Sequence, residues 1–312
     1  MVRLILLGTL SALFFSSTFI LNRAMSLGGG HWVWTSSLRF GYMLVFLSIW
    51  IGFSKGSKYL ADIKEVFIRH WLFWIMAGSV GFGIFYSLLS FGASYAAGWI
   101  VATTWQLTIL ATPVVLMMFG RKVPTRGLLL IALIFTGILL VNVEYAASAT
   151  VREVMLSAFP VLVAAFAYPT GNQMVWEAVR GKNGRIPHIE SRVVKDSFAR
   201  VLLLTIGSVP FWIVLILVAS PPPPSSSQLI STALVALFSG VIATTIFLYA
   251  RHLCVRPSEI AAVDATQSME VIFSLAGEII FLQGVFPGSI GTTGVALTII
   301  GLVAYTRMQT AK

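Results

Sequence analysis

Residues 257–283 read PSEIAAVDATQSMEVIFSLAGEIIFLQ, an apolar run that nonetheless carries four carboxylates, Glu259, Asp264, Glu270 and Glu278. A membrane-spanning helix needs about 20 predominantly apolar residues, and acids inside one are costly enough that they pair, face a polar interior or serve a function. At ~100° per residue the four acids share a face with Thr266, Gln267 and Ser274, while alanines, isoleucines, Met269 and Phe273 fill the opposite arc, where Ser268 is the only polar exception. The stripe predicts a helix that turns its acids away from lipid, toward protein or a watery cavity.

Working outward, nine more apolar runs lie near 4–21, 32–53, 71–91, 97–119, 127–144, 153–176, 198–219, 229–250 and 289–306. An all-α membrane protein of ten transmembrane helices is predicted. The composition agrees, with 57% hydrophobic and 10% charged residues against the roughly 25% charged of a soluble domain. The longest connection, about 177–197, is too short and polar to bury a core of its own, so no separate catalytic domain is expected.

The net charge of +10 raises the question of nucleic acid, which the placement of the charges answers. With the N-terminus inside, Arg3, Lys55, Lys58, Lys64, Arg69, Arg121, Lys122, Arg126, Arg180, Lys182, Arg185, Arg192, Lys195, Arg200, Arg251, Arg256, Arg307 and Lys312 all fall on the inner side. Only Arg23 and Arg152 fall outside, and Arg39 lies within a helix. The basic charge therefore orients the chain in a cell membrane with both termini cytoplasmic, and no nucleic acid is expected. The first run exceeds a signal-peptide core and reads as a retained helix. The sole cysteine, Cys254, rules out an intramolecular disulfide and a cysteine metal cluster. There is no Gly-rich phosphate loop with Lys and no zincin spacing, and His31, His70, His188 and His252 all sit at loops or helix ends. The chain is thus expected to be no enzyme and to hold no metal or cofactor.

A faint repeat divides the chain into residues 1–150 and 151–312. Phe14-Phe15-Ser16-Ser17-Thr18 leading to Asn22 is echoed by Ala164-Ala165-Phe166-Ala167-Tyr168 leading to Asn172, and Gly78-Ser79-Val80 with Ile84-Phe85 by Gly240-Val241 with Ile246-Phe247. Five helices per half is an odd number, so the halves are expected to run through the membrane inverted, with a substrate site at the midplane between them.

Ser17-Thr18-Phe19-Ile20-Leu21-Asn22-Arg23, Trp32-Val33-Trp34, Ser37-Leu38-Arg39-Phe40 and the run from Ala102 through Pro113, set in ten helices, resemble the drug/metabolite transporter superfamily. The similarity is to its EamA-like members and, within them, to the multidrug resistance efflux transporter branch. It covers about residues 3–307. It departs at Glu270-Val271, where such second halves typically have Glu-Pro, and at Leu282-Gln283-Gly284, where they have Leu-Gly-Glu. The resemblance implies export of small hydrophobic or cationic compounds.

The residues themselves suggest how such an exporter would work. Glu270 lies near the bilayer centre, where the cost of burying a charge suits a carboxyl that takes up and releases protons; the alternative is a carboxyl held by structural hydrogen bonds. Asp264, at intermediate depth, is a second proton-coupling candidate. Arg39 and Glu278 match in depth at ~1.5 Å of rise per residue and are read as an ion pair or a gate. Trp105, Tyr86 and Tyr168 are aromatic candidates for contact with cargo, as cation-binding rings or as ordinary packing. Gln106, with Gln267 opposite it in the repeat, is a polar candidate. Asn22 and Asn172 either join this site or link helices by hydrogen bonds. Pro113, Pro160, Pro169 and Pro210 are expected to supply bends. The partners expected are a small-molecule substrate, protons and the lipid bilayer. Two alternatives stay open: an exporter or exchanger of amino acids or other metabolites, and a non-transporting scaffold or regulatory subunit.

Overall fold

The computed structural model describes residues 2–121, 128–180, 184–254 and 257–310. Lys122, Arg126, Lys182, Arg256 and Lys312, among the basic residues placed on the inner side above, lie outside the described residues. Ten helices are long and apolar enough to cross a membrane: α1 (Val2–Leu27), α2 (Trp32–Lys55), α3 (Trp71–Gly92), α4 (Gly98–Met118), α5 (Leu129–Ser148), α6 (Val151–Arg180), α7 (Ser197–Ala219), α8 (Ser226–Arg251), α9 (Ala262–Leu282) and α10 (Ser289–Met308). No strand occurs among the described residues. In hydrocarbon the backbone has no water to bond to, so helices that satisfy their own amides are the available form.

Local chemistry sets several ends. The His31 ring accepts from Val33 N at 3.3 Å at the start of α2, Asp196 from Phe198 N at 3.0 Å at the start of α7, and Ser225 from Gln228 N at 3.2 Å at the start of α8, each taking an otherwise unpaired amide. Between α2 and α3 an amphipathic helix, Ser57–Arg69, buries Ile63 and exposes Lys58 and Lys64.

Four of the helices are irregular, which an even ~100° reading does not anticipate. α3 contains a π-helical stretch at Ser79–Ile84 and α8 another at Ala236–Ala243. α4 is interrupted at Gln106, and α9 passes through a 3-10 turn at Thr266–Ser268. The acids of residues 257–283 therefore sit on two helical pieces, Pro257–Ala265 and Met269–Leu282, and do not share one straight face. Of the prolines expected to bend the helices, Pro160, Pro169 and Pro210 lie inside uninterrupted ones, and Pro113 lies in the second piece of α4, after its break at Gln106.

Packing runs chiefly between the two halves of the chain. α1 lies against α8 and α9, and α6 against α3 and α4; α2 meets α7 and α8, and α7 meets α2 and α3; α5 packs on α10. Exchanging each of the first five helices for its counterpart five places later reproduces this scheme. The core runs through Leu47, Trp74, Leu202 and Leu203. Where α3 crosses α6, a Cβ added to Gly81 would stand 3.0 Å from Gly171 Cα, so the backbones touch with no side chain between them, as small residues allow in membrane packing.

Candidate functional site

The first half of the site is built around Arg39 on α2, which is only 8% exposed. Its guanidinium stacks over the Tyr86 ring at 3.9 Å, with Phe40 at 5.7 Å. Its Nη2 donates to Ser239 Oγ at 3.0 Å, and Ser239 Oγ also accepts from Thr18 Oγ1 at 2.8 Å. Tyr86 in turn donates to Asn22 Oδ1 at 3.2 Å. Phe40 stacks on Trp212 at 5.1 Å and leans on Phe82 at 5.1 Å. Arg39 and Phe40 thus lie beside both π-helical stretches, through Ser239 in α8 and Phe82 in α3. A π turn places an extra residue in the helix and commonly marks a functional position.

Arg39 does not pair with Glu278, contrary to the expectation from matched depth. Among the described residues the two form no ion pair. Glu278 instead accepts from Gly98 N at 2.9 Å, holding the first amide of α4, where a negative charge also favours the helix dipole. Arg23 caps the end of α3, its Nη1 donating to the Ala93 and Ser94 carbonyls at 3.4 Å each. Equal depth fixes height along the membrane normal and leaves position around the bundle free, which is why the sequence suggested the wrong partner.

The second half of the site is an aromatic wall. Phe85 lies 4.8 Å from Trp105 and 4.9 Å from Tyr168, and Trp105 lies 5.6 Å from Tyr168. Tyr168 keeps 36% of its surface accessible, so the wall has an open side. Glu270 has the same character: it is deep in the protein and retains accessible surface. Its carboxylate makes no hydrogen bond or ion pair among the described residues.

The remaining candidates have partners of their own. Tyr86 is 0% exposed and belongs to the Arg39 cluster, and Phe85 takes its place on the wall. The π-helical stretch ends at Ile84, immediately before Phe85 and Tyr86. Gln106 is buried and donates to Ala102 O at 3.2 Å within its own helix. Gln267 donates to Ser11 Oγ at 3.1 Å, tying α9 to α1. Asn22 is held by Tyr86, and Asn172 donates to Tyr168 O at 3.1 Å. Asp264 sits 3.4 Å from Arg251 Nε at the end of the bundle that carries most of the basic residues.

Sequence reading passed over another carboxylate, Glu177. On α6 near that basic end, it receives Arg121 Nε at 2.9 Å, Arg121 Nη2 at 2.6 and 2.7 Å, and Gln173 Nε2 at 2.9 Å. An acid three residues from a helix end looks solvated in a sequence; only the return of α4 beside α6 shows that it is enclosed.

Comparison with known proteins gives this arrangement a context. The profile of the family described as "EmrE: Putative multidrug resistance efflux transporter" matches residues 2–311. The chain belongs to this family. The uncharacterized protein YjlA of Bacillus subtilis (strain 168) is 38% identical over 321 residues, covering 97% of this chain and 94% of that protein. An uncharacterized 42.1 kDa protein from Shouchella clausii is 36% identical over 280 residues, covering 85% of this chain and 69% of that protein. A solved crystal structure matches with a TM-score of 0.59 at 14% identity, covering 99% of this chain and 97% of that one, a likeness of fold. Membership makes the chain a multi-pass membrane transporter for small-molecule efflux, of the drug/metabolite transporter type, in a family of transporters and not of enzymes.

Proposed function

We propose that this EmrE-type chain is a proton-coupled exporter that moves small apolar or aromatic compounds bearing a positive charge by alternating access around the cleft beside Phe85, Trp105 and Tyr168. The observation that carries this reading is Glu270: a carboxyl on a spanning helix that keeps accessible surface and has no hydrogen bond or ion pair among the described residues. Leaving an intramembrane charge unpaired costs several kcal/mol, and a site occupied alternately by a proton and a positively charged compound recovers that cost in both loaded states. Because one carboxyl cannot hold both, entry of the compound expels the proton, and the exchange is coupled.

The bundle supplies the moving parts. The π-helical stretches fall in α3 and α8 and the interruptions in α4 and α9, the same two positions in each half, and the packing scheme is unchanged when the halves are exchanged. This supports residues 1–150 and 151–312 as two inverted repeats that rock against each other. Placing the basic ends of the helices inside the cell puts both termini in the cytoplasm, by the preference of Lys and Arg for that side.

The test is reconstitution into liposomes containing a pH-sensitive dye. Adding organic cations with apolar bodies should move protons in the wild type, and Glu270→Gln should lose that movement. Unchanged proton flux in Glu270→Gln would return Glu270 to a structural role.

A further inference from the structure

The Ser57–Arg69 helix joins two spanning helices with a single residue at each end: Gly56 after α2, which ends at Lys55, and His70 before α3, which begins at Trp71. Both of its ends are thereby held at one interface, and a helix of 13 residues, about 20 Å long, with its ends at one depth runs along the membrane surface. Its apolar face is already taken by protein: Ile63 is 1% exposed, and Tyr59, Leu60, Val66 and Phe67 pack against the core. The opposite face is open. Lys58, Ala61, Lys64, Glu65, Ile68 and Arg69 are all exposed, and at ~100° per residue they fall within an arc of about 140°.

The charges on that face do not balance. Glu65 is neutralised by Arg69 at 2.9 Å, and Asp62, at its margin, lies 3.6 Å from Arg192 of the second half. Lys58 and Lys64 have no hydrogen bond, ion pair or ring contact among the described residues. The apolar surface on either side shows what this face meets. On α2, Val45, Ile49 and Phe53 form an exposed stripe with a spacing of four, and on α3 Trp71, Leu72 and Met76 begin another just beyond the exposed Ile68. Exposed apolar side chains on spanning helices are covered by hydrocarbon. The helix is therefore bordered by lipid at both ends, and Lys64, one turn before Ile68, stands at the level of the headgroups.

We propose that this face is a docking surface for anionic phospholipids, with Lys58 and Lys64 holding the headgroup phosphates and Ile68 and Trp71 lying against the chains beneath them. Clustered lysines beside a membrane favour anionic lipid in this way, with a strength that salt screens. The same helix meets the second half through Tyr59 and Asp196 at 3.1 Å and through Asp62 and Arg192, so lipid held on its outer face bears on a contact between the halves.

The test reads lipid contact and does not depend on transport. The full-length protein is placed in bilayers containing brominated phosphatidylglycerol or brominated phosphatidylcholine, and tryptophan quenching is compared in the wild type and in Trp71→Phe, the difference being the signal of Trp71. Phosphatidylglycerol is expected to be favoured at Trp71 by about three- to tenfold at low salt, and Lys58→Gln/Lys64→Gln is expected to bring that ratio close to one. Total quenching of the wild type, which needs no variant, is expected to lose its phosphatidylglycerol preference as ionic strength rises from about 0.05 to 0.5 M. Equal quenching by the two lipids, a preference that salt leaves unchanged, or one that the double variant keeps would overturn the docking surface.

Discussion

Glu177 and Glu270 are carboxylates on spanning helices, and the fold treats them in opposite ways. Glu177 is wrapped: a bidentate arginine, a glutamine amide and the Trp176 ring against that arginine at 4.5 Å. Glu278 and Glu144 are likewise satisfied, by the backbone amides of Gly98, Gly288 and Gly291, while Asp264 has an ion pair with Arg251 at 3.4 Å but no hydrogen bond to its Oδ1. Among the described acids within the ten helices, Glu270 alone is left open. A chain that gives each of the other described acids in these helices a hydrogen bond or an ion pair does not leave one unpartnered for stability's sake. The difference separates groups that hold the helices together from a group kept free to exchange.

The sharpest way to break that distinction is to neutralise each acid and compare thermal unfolding in detergent. Glu177→Gln should be strongly destabilising, because it leaves Arg121 partly buried and facing an amide; breaking a buried pair costs about 3–5 kcal/mol. Arg121 keeps 29% of its side chain accessible, which puts the expectation at the lower end. Glu270→Gln should leave the unfolding midpoint unchanged or raise it, since it removes an uncompensated charge. Equal losses in the two variants would mean that Glu270 is as structural as Glu177.

Next in size is Gly171→Ala. The new methyl would fall onto Gly81 Cα where α3 crosses α6, and overpacking of this kind costs about 1–3 kcal/mol. The crossing lies within the π-helical stretch of α3, so transport should fall more steeply than stability. A variant that transports normally with a lowered midpoint would make the crossing a packing contact and nothing more. Smaller again is Glu278→Gln. The amide oxygen still accepts from Gly98 N, so only the charge at the start of α4 is lost, about 1 kcal/mol or less. A loss as large as that of Glu177→Gln would show that Glu278 carries an ion pair after all.

How much of this the sequence disclosed follows from what each feature depends on. The ten spans were readable because hydrophobic length is a local property: a run such as residues 127–144 cannot be much else. Gln106 and Gln267 were readable as equivalent positions, though as cargo contacts, and what the structure places at those two points is the breaks in α4 and α9. The breaks themselves were not readable. Proline is the familiar signal for a bend, yet Pro160, Pro169 and Pro210 sit in uninterrupted helices and the break in α4 falls at Gln106 and not at Pro113, while the π-helical stretches form at SVGFGI and ALFSGVIA, where small residues meet neighbouring helices. That is tertiary information. The same limit explains the expected pairing of Arg39 with Glu278. Depth and period can be counted along one helix, but azimuth around a bundle cannot.

The smallest expected effect lies at the basic end, where the two halves meet through exposed groups. Lys55 pairs with Asp196, and Tyr59 donates to the same carboxylate at 3.1 Å. Here the chain closes a contact as it does at Glu177, but in reach of water, where such interactions contribute under about 1 kcal/mol. Burial first, and the Asp196 carboxylate second, push the Tyr59 phenol up to about 12 from a usual value near 10. With the folded value above the unfolded one, the contribution is complete below about pH 10 and is lost as pH rises through 12. Wild-type stability should therefore show a small decline over that window that Tyr59→Phe lacks, with the variant slightly less stable than the wild type at neutral pH. If Tyr59→Phe instead cost as much as Glu177→Gln, water would not be weakening this contact, and the contrast between an enclosed tie and an exposed one would have to be drawn somewhere other than solvent access.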